Sequence, residues 1–139
     1  MPHAGDWLEG GVHLEAESYT TPVYGAALHE QYAVGDDQQK SFYSVEPAEL
    51  LYSACKRSEN GAALILRVYN TAAHAVDGIL KTGFASTARR ANLVERELAP
   101  ALEADDGGAY RFRAGGHEIV TFSITPGMPG EIVAGGSQP

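Results

Sequence analysis

The sequence predicts an all-β fold: an antiparallel β-sandwich of about seven to eight strands, with one short N-terminal helix. Three observations lead there. Turn signals recur about every ten residues through most of the chain, which is the spacing of short sandwich or barrel strands. Short β-prone runs fill the intervals between them. The most apolar run, Leu64–Asn70, places Leu64, Leu66 and Val68 on one face and Ile65, Arg67 and Tyr69 on the other. A strand apolar on both faces belongs inside a sheet whose faces are covered.

The elements follow in order. Asp6 is an N-cap with Glu9 three residues on, the capping-box spacing. Leu8, Val12, Ala16 and Tyr19 then form one apolar stripe, so a short helix is predicted that ends at Thr20-Thr21-Pro22. Gly10-Gly11 inside it costs about 1–2 kcal/mol of helix propensity, so the helix needs tertiary support. Val23–Tyr32 can hold a strand, and Gly35–Lys40 is a polar loop. Ser41–Val45 is β-prone and is broken by Glu46-Pro47. Leu50–Lys56, the turn Ser58-Glu59-Asn60-Gly61 and Ala62–Asn70 read as a hairpin, because Asn-Gly favours tight turns. Further strands are predicted at His74–Lys81, Ala88–Val94, Ala109–Arg113 and Glu118–Ile124. The Gly- and Pro-rich segment Pro126–Pro139 reads as a flexible tail. The predicted organisation is a junction and helix over residues 1–22, a sandwich over 23–125 and a tail over 126–139.

Composition narrows the partners. The 139 residues suit one domain. A net charge of −8 argues against a nucleic acid or an anionic membrane as partner, since either needs a basic face. The basic pairs Lys56-Arg57 and Arg89-Arg90 are too small to make one. Cys55 is the sole cysteine, which leaves no internal disulfide and suits a reducing compartment. With no leader-like segment and no membrane-length apolar run, the expected location is cytoplasmic. The start, Pro2-His3-Ala4-Gly5-Asp6-Trp7, reads like the interior of a longer protein, because ordinary amino termini are polar and frayed.

Candidate chemistry is sparse. His13 and Glu17 have metal-ligand spacing on the predicted helix, but no third ligand accompanies them, and a solvated pair on a helix face is the ordinary explanation. His3 and Trp7 could stack on a sugar ring, although a buried Trp joining helix to sheet is commoner. Asp36-Asp37 and Asp105-Asp106 sit in hydrophilic turns, whereas glycosidase carboxylates flank a cleft. Cys55 lies within a β-prone run and reads as a small core residue rather than a nucleophile. Gly107-Gly108 and Gly115-Gly116 fit hairpin turns, not phosphate loops. Arg67 is the one charge in the most apolar strand. It is expected to pair with a carboxylate such as Glu59, or to lie along a cleft edge.

These segments together resemble the C-terminal region of family 38 glycoside hydrolases, the α-mannosidases. The family's PH-x-G-x-W segment corresponds to Pro2–Trp7, and its "sAlKpaEdg…glilRlyN" hairpin to Ser53–Gly61 and Leu64–Asn70. Its "v-d/n-L-x-E" strand corresponds to Ala91–Glu95, and its closing "EI-x-T-f/l" strand to Glu118–Ile124. Cys55 and Ala72 depart from the pattern. The resemblance implies a non-catalytic β-sandwich that supports or walls the catalytic domain of a parent enzyme. The family's zinc ligands and nucleophile lie in a catalytic barrel with no counterpart in these residues, so no catalytic or metal residue and no cofactor is expected here. Expected partners are that catalytic domain, or a second copy through the surface it would cover. A stand-alone carbohydrate-binding module is the alternative, with Trp7, Arg67, Tyr69 and Asn70 as its candidate glycan or cleft contacts. A protein-interaction subunit is another.

Overall fold

The computed structural model describes residues 4–21, 41–98 and 100–127. The strand expected at 23–32, the loop at 35–40, His3, Asp36-Asp37 and the tail from 128 onward lie outside the described residues. The chain falls into two units, residues 1–39 and 40–139.

In the first unit, the Asp6 carboxylate accepts the N–H groups of Leu8 (2.8 Å) and Glu9 (2.9 Å). It caps a separate turn and not the helix. Gly11 then takes a left-handed conformation (φ 67°), and α1 (Val12–Thr20) begins after it. The double glycine therefore breaks the expected helix at its start instead of weakening its middle. None of the α1 residues is buried, Tyr19 included, so the apolar stripe is not a packed face.

The second unit confirms the predicted all-β sandwich. Its described strands are β1 (Tyr43–Glu46), β2 (Leu50–Arg57), β3 (Leu64–Asn70), β4 (Val76–Thr82), β5 (Ser86–Ala91), β6 (Glu97–Leu98), β7 (Ala109–Ala114) and β8 (Ile119–Pro126). They form a three-stranded sheet, β1-β4-β7, and a five-stranded sheet, β2-β3-β8-β5-β6. Every neighbouring pair is antiparallel. The expected hairpin is β2–β3. Its turn works because Gly61 adopts φ 75°, while Asn60 Oδ1 accepts the Ala62 N–H and the Ser58 hydroxyl. The strand expected to run to Val94 stops at Ala91. Asn92 ends it by accepting the N–H groups of Val94 and Arg96, an Asn turn that outcompetes continued pairing.

The core lies between the two sheets. Leu66, Val68, Val120, Phe122 and Ile124 come from the five-stranded sheet, and Leu80, Tyr110, Phe112 and Ala114 from the other. Phe112 meets Phe122 edge-on across the interface, with ring centroids 4.8 Å apart. Gly78 is required where Phe112 and Leu50 press on β4, because a Cβ there would lie 2.5 Å from Phe112 Cζ and 2.6 Å from Leu50 Cδ1. Cys55 also points inward beside Tyr43. Burial raises the Cys55 pKa and, with the neighbouring thiol and Tyr52, pushes Tyr43 up to about 12, as suits packing groups.

Candidate functional site

The site grows from the outward face of β3. Period-two alternation sends Leu66, Val68 and Asn70 inward, so Ile65, Arg67 and Tyr69 face out. Register with the neighbours builds rows across that face. Leu51, Tyr69 and Ile119 make one row. Ala54, Arg67, Thr121, Ala91 and Glu97 make the next. Lys56, Ile65, Ser123 and Arg89 make a third. Outward-facing Ile65 is only 2% exposed, and Leu51, Thr121, Ser123 and Ala91 are also buried.

Arg67 sits in the middle row. Its Nε donates to Thr121 Oγ1 (3.2 Å) and its Nη2 to the Leu93 carbonyl (3.3 Å). Among the described residues no carboxylate forms a salt bridge with it, so the expected pairing with Glu59 is replaced by two neutral acceptors. Glu95, an acid that Arg67 attracts, is already engaged. It pairs with Lys56 and accepts the Glu59 N–H. The Lys56 hydrogen bond first, and then the Glu59 N–H, hold the Glu95 carboxyl below its ordinary value; Arg67 adds a smaller attraction. Glu95 reaches this position with a left-handed backbone, φ 64°, held by the Asn92 turn. The same turn lifts Val94, 70% exposed, together with exposed Leu93. Ile119, 52% exposed and paired in register with Tyr69, extends the apolar rim.

The four sequence candidates differ in their surroundings. Arg67 and Tyr69 share this face. Asn70 points the other way and is 1% exposed. Its amide nitrogen donates to the carbonyls of His74 and Gly115, both at 2.8 Å, and its oxygen accepts the Ala72 N–H at 2.9 Å. All of these bonds are internal, so Asn70 is a brace between the end of β3 and the β7–β8 turn. Trp7 belongs to the first unit, where it is 53% exposed and meets His13 edge-on at 5.7 Å. The expected buried Trp is therefore not found; α1 has no buried residue for it to join. Sequence reasoning missed Thr121, Glu95 and the Leu93-Val94 tip. Asn92, a strong turn former inside a presumed strand, was the signal for the last two.

Asp105 has a structural role. Its Oδ1 accepts the N–H groups of Ala109 (2.9 Å) and Gly107 (3.0 Å), which close the turn into β7 and lower its pKa, the Ala109 bond most. No described group of three His, Cys, Asp or Glu is placed to hold a metal ion. His13 and Glu17 therefore gain no third ligand among the described residues, and no step through zinc is assigned to them. No described helix is long and apolar enough to cross a membrane.

Residues 50–122 match the family model described as the glycosyl hydrolases family 38 C-terminal beta sandwich domain. That is just over half of the chain, running from the first residue of β2 into β8. The chain belongs to this family. No curated protein and no solved structure matches it. In this family 38 sandwich, the matched stretch includes the Arg67 face from Leu51 to Thr121 but not Ser123. Pro2–Trp7 lies outside the match.

Proposed function

We propose that this family 38 sandwich is a non-catalytic module that braces the catalytic part of an α-mannosidase-like glycoside hydrolase and helps wall its cleft. The observation that carries this reading is the family match itself: the matched unit is by description a C-terminal beta sandwich domain of glycosyl hydrolases. The chemistry of the described residues agrees with a support role. Asn70 is spent on the fold, Asp105 on a turn, and Cys55 on packing beside Tyr43. On this reading the zinc of the family works in the catalytic part, the module brings no cofactor of its own, and both act in the cytoplasm.

Two measurements test it. The full chain, given zinc and an aryl α-mannoside, is expected to show no turnover above background; turnover would overturn the reading. Mixed with the catalytic part of a family 38 enzyme that lacks its own terminal sandwich, the chain is expected to bind and to raise its melting temperature. Failure of both effects would count against bracing. Chemical shifts moving on the free chain at millimolar mannose would instead favour a glycan-binding module.

A further inference from the structure

We infer that the outward face of the five-stranded sheet, centred on Arg67, is the surface that docks onto the catalytic part, and that the covering surface presents a carboxylate to Arg67 within an apolar surround. This rests on the bracing role proposed above and names the contact through which it acts.

Charge supplies the first reason. All ten Lys and Arg of the chain lie from Lys40 onward, so the sandwich unit carries every cation. On the face itself, Lys56 is matched by Glu95, and Arg89 lies 3.5 Å from Glu97. Among the described residues of these rows, Arg67 is the cation that forms no salt bridge; it holds a hydroxyl and a carbonyl. A guanidinium has five N–H donors in a fork suited to a carboxylate, and two of the five are committed here. Any surface that covers Arg67 strips its water. That is costly unless an acceptor replaces the water, and a carboxylate does so best.

The rim supplies the second. Leu93, Val94 and Ile119 stand exposed around a centre that is already dry, with Ile65, Thr121 and Ala91 buried beneath. An apolar rim excluding solvent from one polar anchor is the arrangement of an interface hot spot, in which Arg is among the favoured anchors. The Asn92 turn holds Leu93 and Val94 in place before any partner arrives, so little ordering entropy opposes docking.

The test uses the full chain and the separately expressed catalytic part of a family 38 enzyme lacking its own sandwich. Arg67→Ala is expected to weaken binding at least about thirty-fold, the effect of truncating one partner of a covered charge pair. Arg67→Lys, which keeps charge and stem but loses the fork, is expected to fall between. Val94→Ser is expected to weaken binding without changing the melting temperature of the free chain. Arg113→Glu, on the outward face of the three-stranded sheet, is expected to leave binding unchanged. Binding that survives Arg67→Ala and Val94→Ser, or fails with Arg113→Glu, overturns this inference and leaves the bracing role standing. Absence of any binding by the unaltered chain overturns both. Sedimentation showing that Arg67 variants disrupt a dimer of the chain alone would assign the face to a second copy and overturn the inference in favour of self-association.

Discussion

The two outward faces of the sandwich are built from the same alternating strands yet differ in kind. On the three-stranded sheet the cross-strand partners are charges. Asp77 faces Arg113, with 3.0 Å between Oδ1 and Nη1, and Lys81 reaches Glu46 at 3.7 Å. These side chains are all more than half exposed, so water already satisfies them and their mutual attraction is screened. On the five-stranded sheet small or apolar residues sit among the charges, and Ile65, Thr121 and Ser123 at the centre are buried. The lesson is that alternation makes one face of a strand different from the other, but breadth decides what an outward face becomes. In the narrow sheet β4 is flanked by β1 and β7, and those two are edges. In the wide one β3, β8 and β5 are all interior, so their outward residues have paired strands on both sides.

That contrast can be broken by substitution. Ile65→Ala removes a buried side chain from the wide face and is expected to cost about 2–5 kcal/mol. Ile79→Ala, at a half-buried outward position on the narrow sheet, is expected to cost about 1 kcal/mol or less. Equal losses in urea unfolding would show that the wide face is no drier than the narrow one. Gly78→Ala tests the space inside the narrow sheet. The new methyl would collide with the Phe112 ring and Leu50, so about 1–3 kcal/mol of destabilisation is expected from the same measurement.

Acid sharpens the comparison, because each side has one carboxyl with a lowered pKa: Glu95 on the wide face and Asp105 at the turn into β7. A carboxyl lowered in the folded state contributes stability above its unfolded value and loses it as pH falls through the lower folded value. The relevant windows therefore lie below about 4.5 for Glu95 and below about 3.8 for Asp105. Glu95→Gln is expected to flatten the upper part of the acid limb, and Asp105→Asn the lower part. A pH series of melting temperatures that keeps the unaltered slope in both variants would refute the assignment. The smallest effect belongs to the exposed pair on the narrow face. Arg113→Ala is expected to change stability by less than about 1 kcal/mol, and less still in high salt.

Much of the sandwich was legible because its signals are local. The β2–β3 hairpin follows from alternation and one Asn-Gly turn, and β1, β4, β7 and β8 follow from β-prone runs between glycines and a proline. Errors came where a local signal had a competitor. Asn92 stopped β5 three residues before the apolar text ran out, and Gly11 cut the helix that Asp6 was expected to cap. The candidate site was only half legible. Arg67 stood out as the one charge of an apolar strand, but Asn70 was named beside it as a candidate contact, although residues three apart in a strand face opposite ways.

By itself the sequence determined the all-β class, the hairpin around Asn60-Gly61, the net charge of −8, and the motifs shared with family 38. All of these depend on residues within a few positions of each other or on composition. Only the tertiary structure decided that β8 lies between β3 and β5, and with it that Thr121 becomes the acceptor for Arg67 across 54 residues of chain. It also decided that Asn70 turns inward to brace the β7–β8 turn while Arg67 faces out beneath the Asn92 turn. The physical reason is that period-two alternation specifies two faces for each strand and leaves open which strands lie alongside. That choice is made by how the apolar faces fill one core, and the burial of every outward residue follows from it.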